Sequence, residues 1–166
     1  GQTTIYHYDR LGRLIGETDP LGNSTSYTYD AKGNLTSKTD ANGATINYAY
    51  DALGRLIKKT YPDNTSETYT YDPKGHILTA SNQHIAYAFS YDVNSRVIAV
   101  ADSNRRTITY QYDTLGNRTK ATYPDGSVVS YSYDPAGRLA SIAHGGRSFA
   151  FQYDSLGRRV KTTLPN

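Results

Sequence analysis

Residues 48–56 read Tyr-Ala-Tyr-Asp-Ala-Leu-Gly-Arg-Leu, and this stretch decides the fold because variants of it recur along the whole chain. The Tyr-Asp dipeptide appears eight times, at intervals of 20 or 21 residues. In seven copies a glycine stands three residues after the aspartate, and the fifth copy has Ser95 there. A fixed period of this kind is the signature of a repeat protein. We therefore predict a single array of eight repeats over residues 1–166, a fragment of a longer repeat protein.

Each repeat predicts two strands and two turns. Residues 44–50 alternate with period two and are rich in aromatic and β-branched side chains, which favours a pleated strand. Asp-x-x-Gly then fits a type I turn in a three-residue hairpin loop, with the glycine in the left-handed conformation. At Ser95 we expect a conformational penalty for the same reason. The predicted turn residues are Asp9, Gly12, Asp30, Gly33, Asp51, Gly54, Asp72, Gly75, Asp92, Asp113, Gly116, Asp134, Gly137, Asp154 and Gly157.

This turn also predicts which residues face each other across a hairpin. If Asp51 faces Arg55 across the loop, Tyr48 faces Lys58 on the paired strand. The arginine that follows the turn glycine is expected to pair with the turn aspartate or to lie in solvent, where an ion pair contributes only about 0.2–1 kcal/mol.

The odd repeat length predicts the second turn. Side-chain direction alternates at each residue, so a 21-residue repeat keeps its tyrosines on one face if one loop is odd and the other even. We therefore predict a four-residue second loop, such as residues 20–23. The two 20-residue repeats are expected to lose their residue near 82–84 and 144–147. This loss would shorten the second loop to three residues and move the register slip into a bulge.

Sixteen short strands joined only by tight turns predict an all-β fold. The expected architecture is a repetitive antiparallel β-hairpin meander of about 16 strands, each bonded to its sequence neighbours. Such a strip twists and curls, so we expect a curved or spiralling sheet strip, a partial β-shell. Rows of apolar and aromatic side chains run across the strip, and neighbouring repeats should bury one another's rings.

Composition and charge exclude several functional classes. The 166 residues include no Cys, carry a net charge of +3 and have a mean hydropathy of −0.67. We therefore expect no disulfide, no thiolate metal site, no cofactor and no membrane insertion. A nucleic-acid groove needs concentrated positive charge, so nucleic acid is not a predicted partner.

No cluster of residues predicts catalysis. Eight equivalent aspartates argue for turns, because an acid–base pair needs two carboxyl groups in different environments at one place. The four histidines lack the spacing of metal ligands. We predict no enzyme activity, no catalytic residue and no metal ligand.

The repeated unit resembles a known family. Tyr-x-Tyr-Asp-x-x-Gly-Arg-Leu, with Thr-Asp-Pro-x-Gly or Tyr-Pro-Asp-Gly later in the repeat, is similar to the YD repeat of RHS (rearrangement hotspot) proteins, and the resemblance covers the whole chain. That family includes shells of bacterial polymorphic toxins, cocoon components of Tc toxins, wall-associated bacterial proteins and teneurins. In it such repeats form a long β-sheet strip that spirals into a hollow shell around a C-terminal toxin or other cargo.

The resemblance implies a structural wall segment that encapsulates a toxin or other polypeptide cargo before delivery. It further implies a secreted or cell-surface protein, bacterial in origin, whose partners are further YD repeats and the enclosed cargo. A second hypothesis is a surface carbohydrate-binding or adhesion module, in which exposed tyrosine rows stack on the sugar rings of a glycan. Its candidate stacking residues are Tyr48, Tyr69, Tyr110 and Tyr131. The unpaired sheet edges of a strip also predict edge-to-edge self-association.

Overall fold

The computed structural model describes residues 1–165 and confirms the predicted all-β fold. Sixteen antiparallel strands form one open sheet, and their order in the sheet is their order in the sequence. Residues 1–165 contain no helix, and therefore none with the length and apolar character needed to cross a lipid bilayer.

The chain divides into two compact units, of which the first comprises residues 1–86. Its strands are β1 (Ile5–Tyr8), β2 (Leu14–Thr18), β3 (Ser24–Tyr29), β4 (Leu35–Thr39), β5 (Thr45–Tyr50), β6 (Leu56–Thr60), β7 (Ser66–Tyr71) and β8 (Ile77–Ser81). The second unit begins at Tyr87. Its strands are β9 (Ala86–Tyr91, whose first residue belongs to the first unit), β10 (Val97–Asp102), β11 (Thr107–Tyr112), β12 (Arg118–Thr122), β13 (Val128–Tyr133), β14 (Leu139–His144), β15 (Arg147–Tyr153) and β16 (Arg159–Thr163).

The turn that follows each Tyr-Asp dipeptide, here called the YD turn, has the geometry expected from the sequence. In the third repeat the amide of Asp51 donates to the carbonyl of Arg55 at 2.9 Å, and the amide of Gly54 donates to the carbonyl of Asp51 at 3.0 Å. Gly54 has a φ of 77°, the left-handed conformation that costs a residue with a Cβ. Ser95 has a φ of 66°, so the expected penalty falls on it. All eight YD turns share both hydrogen bonds.

The prediction of a four-residue second loop is wrong. The amide of Asp19 donates to the carbonyl of Asn23 at 2.9 Å, so the loop consists of residues 20–22. The second turn therefore repeats the geometry of the YD turn, including a left-handed residue at its fourth position. Asn64 and Arg105 occupy that position in two repeats with φ values of 66° and 63°. Sequence reasoning missed both, because it assigned this turn a different loop length.

A β-bulge takes the place of the predicted even loop. In the hairpin of β5 and β6, Ala49 pairs with Lys58, and Ile57 is an extra residue on β6. Tyr48 consequently pairs with Lys59, and the predicted pairing with Lys58 is wrong. Each YD hairpin has the same register shift. One extra residue on one strand lets an odd repeat keep its tyrosines on a constant face even though both loops are odd.

The two 20-residue repeats lose their residue at the second turn, as predicted, but the loop that results is shorter than expected. The amide of Asn82 donates to the carbonyl of Ile85 at 2.9 Å, and His144 pairs with Arg147, so each loop has two residues. The pairing of β14 with β15 shows no register slip, which corrects the prediction of a bulge there. A two-residue hairpin loop has one residue fewer than a three-residue loop, so the turn itself absorbs the deletion; in the second case Gly145 and Gly146 supply its two left-handed conformations, with φ values of 56° and 78°.

The sheet has almost no buried interior. In β3 the tyrosines Tyr27 and Tyr29 are half-buried, and the small polar residues Ser26 and Thr28 that alternate with them are exposed. Among residues 1–165, Ala121 is the only fully buried hydrophobic residue. The rows of half-buried rings are therefore the main apolar packing in each unit, and contacts between neighbouring strands hold the sheet together.

Candidate functional site: the YD turns and the inter-repeat contacts

The YD turn engages both oxygens of its aspartate. Oδ1 of Asp51 accepts hydrogen bonds from the amides of Leu53 and Arg55, each at 2.9 Å, and Oδ2 accepts one from Nε of Arg55 at 2.6 Å. The bond from the Arg55 amide, reinforced by its guanidinium, lowers the pKa of the Asp51 carboxyl despite some desolvation. The carboxylate is therefore an ionised acceptor that fixes the turn.

The structure places every predicted turn residue in a YD turn and brings none of them together in a cluster. Turns alternate between the two ends of the strands in an antiparallel meander, so in each unit the YD turns occupy one rim of the sheet. We call this the YD rim, and the rim formed by the other turns the opposite rim. Within residues 1–165 no three His, Asp or Glu side chains are close enough to hold a metal ion.

Five arginines pair with their own turn aspartate, as expected: Arg13, Arg55, Arg96, Arg138 and Arg158. The second contact of these arginines was not predicted. Nη1 of Arg55 donates to the carbonyl of Asp72 at 2.8 Å, and its guanidinium carbon lies 4.7 Å from the centroid of the Tyr71 ring. The same two contacts to the following repeat are made by Arg13, Arg96 and Arg138. An arginine of this kind links two repeats.

A second inter-repeat contact comes from the tyrosine of the Tyr-Asp dipeptide. The hydroxyl of Tyr71 donates to the carbonyl of Leu56, in the preceding repeat, at 2.7 Å. Leu56 directly precedes the bulge residue of β6, so the hydroxyl donates where the regular ladder shifts. Equivalent bonds to the preceding repeat are made by Tyr29, Tyr112, Tyr133 and Tyr153.

One signal in the sequence points to this role of the hydroxyl. Phenylalanine replaces the first aromatic of the Tyr-x-Tyr-Asp unit in two repeats, at Phe89 and Phe151, but it never replaces the second. A position that needs only a ring accepts either residue, whereas a position that needs a hydroxyl does not. The strict tyrosine before each aspartate therefore indicates a hydrogen bond.

The four candidate glycan-stacking tyrosines are half-buried. The hydroxyl of Tyr69 donates to Glu67 at 2.8 Å, and this bond, together with desolvation, raises the pKa of Tyr69 to about 12. The hydroxyl of Tyr131 accepts a hydrogen bond from Arg118 at 3.3 Å, and the guanidinium of Arg118 also lies 5.5 Å from the Tyr110 ring. Intramolecular contacts therefore engage Tyr69, Tyr110 and Tyr131, and carbohydrate binding stays a prediction.

Comparison with known protein families identifies the repeat. The sequence profile described as Teneurin YD-shell matches residues 40–163, about three quarters of the chain. The chain belongs to the Teneurin YD-shell family. A second profile, RHS Repeat, matches residues 1–23 and 8–45 of this YD-shell segment, which confirms the resemblance to RHS proteins. Comparison with curated protein sequences gives no match.

Solved Tc toxin structures have the same fold as this YD-shell segment. The crystal structure of TcdB2-TccC3 without the hypervariable C-terminal region matches with a TM-score of 0.79 and 19% identity, over 98% of this chain and 10% of that chain. The Photorhabdus luminescens Tc holotoxin pore, with a mutation in TccC3, matches with a TM-score of 0.73 and 18% identity, over 99% and 12%. The segment thus spans about a tenth of the length of these chains. Family and fold together give it a shell-forming role.

Proposed function

We propose that this segment is part of the wall of a hollow β-shell that encloses a C-terminal toxin or other polypeptide cargo before delivery. The observation that carries the proposal is the structural match over 98% of the chain to TcdB2-TccC3, a protein whose C-terminal region is described as hypervariable. A constant wall with a variable C-terminal part is the arrangement expected of a container that holds different contents.

The inter-repeat contacts support a wall. Repeats 1 and 2, 3 and 4, 5 and 6, and 7 and 8 are bonded through both the arginine and the tyrosine contacts. These contacts use the same positions each time, so the strip can be extended by further repeats without a new type of contact. The turn carboxylates are held as hydrogen-bond acceptors, which suits a structural role and leaves no poised acid or base. We infer a structural protein and not an enzyme.

Its partners follow from the same proposal. They are the further YD repeats that complete the shell and the polypeptide enclosed by it. Membership of the YD-shell family supports a secreted or cell-surface location, with the shell facing an extracellular medium before its cargo is released.

Limited proteolysis of the full-length protein that contains this segment tests the proposal. We expect the region C-terminal to the repeats to resist protease under native conditions and to be cut once mild denaturant opens the repeats. Replacing the linking arginine, Arg55→Ala, should lower the denaturant concentration at which protection is lost. The matched control Ala52→Ser, in the exposed part of the same turn, should not change it. If the C-terminal region is cut equally fast whether or not the repeats are folded, the shell does not enclose it.

A further inference from the structure

The YD rim of each unit presents large apolar side chains to solvent. Leu11 and Leu53 in the first unit are 77% and 74% exposed, and Leu115 and Leu156 in the second are 79% and 76% exposed. All four occupy the third position of the Asp-x-x-Gly turn, which accepts most residue types. A single exposed leucine needs no explanation, but recurrence at one turn position along one rim indicates a contact surface.

The opposite rim of each unit has a groove. In the first unit a groove of about 510 Å³ lies between the Tyr-Pro-Asp turn at 61–63 and the shortened turn at 82–84. In the second unit a groove of about 520 Å³ lies between the Tyr-Pro-Asp turn at 123–125 and His144, which begins the other shortened turn. Each groove thus occurs where a two-residue loop stands beside a three-residue loop. Both have room for a leucine side chain and combine an aromatic ring, a proline and a carboxylate.

The two rims of each unit carry opposite charge. In the first unit the four YD-rim turns contain five Lys or Arg and four Asp, whereas the four opposite-rim turns contain three Asp and no Lys or Arg. In the second unit the signs are reversed: the YD-rim turns contain four Asp and three Arg, and the opposite-rim turns contain two Asp and three Arg. In both units, therefore, the YD rim of one copy complements the opposite rim of another. Contact between the like rims of the same unit would bring together charges of the same sign.

We propose that a YD-repeat strip docks rim to rim onto a second copy of this chain, with an exposed leucine of the YD rim seated in a Tyr-Pro-Asp groove of the opposite rim. The contact is heterologous, because the two surfaces that meet differ, so it can be repeated to stack several copies. One leucine buries little area, and the contact gains strength from several turns acting in parallel. It differs from hydrogen bonding between edge strands, since it uses turns and not unpaired strand backbones. The proposal goes beyond the shell function and does not depend on what the shell encloses.

Disulfide trapping tests this contact, and the chain suits it because it contains no cysteine. Two single variants, Ala52→Cys next to Leu53 on the YD rim and Pro62→Cys in the groove, are mixed and oxidised at high protein concentration. We expect the mixed disulfide to exceed each homodimer by about tenfold, because burial of one leucine side chain strengthens a contact by about that factor. In the control, Pro62→Cys is replaced by Asn42→Cys, which lies in an exposed opposite-rim turn outside the groove. The mixed disulfide should then fall to the proportion given by random pairing of the two variants.

Sedimentation velocity over a concentration series gives a second readout. We expect Leu53→Ser to weaken self-association about tenfold, and the edge-strand variant Val160→Pro to leave it unchanged. Three results would overturn the proposal: a chain that stays monomeric at all concentrations, homodimers that form as readily as the mixed disulfide, or association that is abolished by Val160→Pro and unaffected by Leu53→Ser. The last of these would assign self-association to the sheet edge. None of them bears on the proteolysis test of enclosure, so the two proposals can fail separately.

Discussion

The tyrosine ladder makes a quantitative prediction for Tyr71→Phe. This variant keeps the ring, and with it the contact with the Arg55 guanidinium at 4.7 Å, and removes only the hydroxyl that donates to the Leu56 carbonyl at 2.7 Å. The change therefore isolates one hydrogen bond between two repeats. If these bonds hold the strip together, the variant should be less stable although its strands and turns are intact.

The expected size follows from the contact that is lost. A neutral hydrogen bond of this kind contributes about 1 kcal/mol to the free energy of unfolding. For a chain of this length, unfolding entropies of about 2 cal/mol/K per residue convert 1 kcal/mol into a decrease in Tm of about 3 °C. The side chain is half-buried and the donor–acceptor distance is short, so we expect neither a null effect nor a loss of the fold.

Thermal unfolding followed by calorimetry measures this effect, and the first repeat offers a matched control. Tyr8 occupies the same motif position, is 59% exposed, and lies on β1, which has β2 as its only partner strand among residues 1–165. Tyr8→Phe should therefore change Tm by less than about 1 °C. Equal decreases for both variants, or no decrease for Tyr71→Phe, would refute the claim that the hydroxyl links neighbouring repeats.

Three further predictions concern the turns and the polar contacts. Ser95→Gly should raise the free energy of unfolding by about 1 kcal/mol, because Ser95 is strained at a φ of 66°. Gly54→Ala should lower it by a similar amount, because it places a Cβ at a left-handed position. Urea denaturation measures both changes, and a stabilising Gly54→Ala would contradict the reasoning. The difference between ultraviolet absorbance titrations of the chain with and without Tyr69→Phe should show one tyrosine titrating near pH 12, and Glu67→Gln should move this midpoint towards the ordinary value of about 10. Because the folded-state pKa is raised, this contact stabilises the protein fully below about pH 10, and the stabilisation is lost as the pH rises towards 12. Arg55→Lys should lower the free energy of unfolding by about 1 kcal/mol, since the lysine cannot bond its own aspartate and the carbonyl of the next repeat together. An unchanged urea midpoint would show that the bond to the Asp72 carbonyl contributes nothing to stability.

The hairpins and YD turns were predictable because their determinants are local. The side chain of Asp51 bonds amides two and four residues ahead, and Gly54 supplies the left-handed conformation. Both effects act within five consecutive residues, and the sequence repeats the aspartate eight times and the glycine seven times. The same local reasoning identified Ser95 as the strained exception.

The register of the strands was not fully predictable, because two different arrangements keep the tyrosines of an odd-length repeat on one face of the sheet. An odd repeat keeps its tyrosines on one face either through an even second loop or through one extra strand residue. Ile57 is the extra residue in the third repeat, and its residue type does not distinguish it from an ordinary strand residue. The choice depends on pairing between strands, which no single segment specifies.

The inter-repeat contacts were missed for a related reason. Arg55 and Asp51 are four residues apart, and their pairing follows from the turn, but the partners of Arg55 at Tyr71 and Asp72 lie 16 and 17 residues away. Which residues meet at that distance is decided by the bulge. Among these contacts only the tyrosine hydroxyl left a trace in the sequence, as the absence of phenylalanine at its position.

The shortened turns have a consequence for how such arrays change over generations. A repeat of 20 residues and one of 21 both return the chain to the next strand with the same side chains on the same face, because the turn absorbs the difference. Unequal recombination between any two repeats in the gene therefore yields an array whose tyrosines still lie on one face, whether repeats of 20 or of 21 residues are joined. A lineage can thus lengthen or shorten the array in steps of one repeat without compensating substitutions elsewhere.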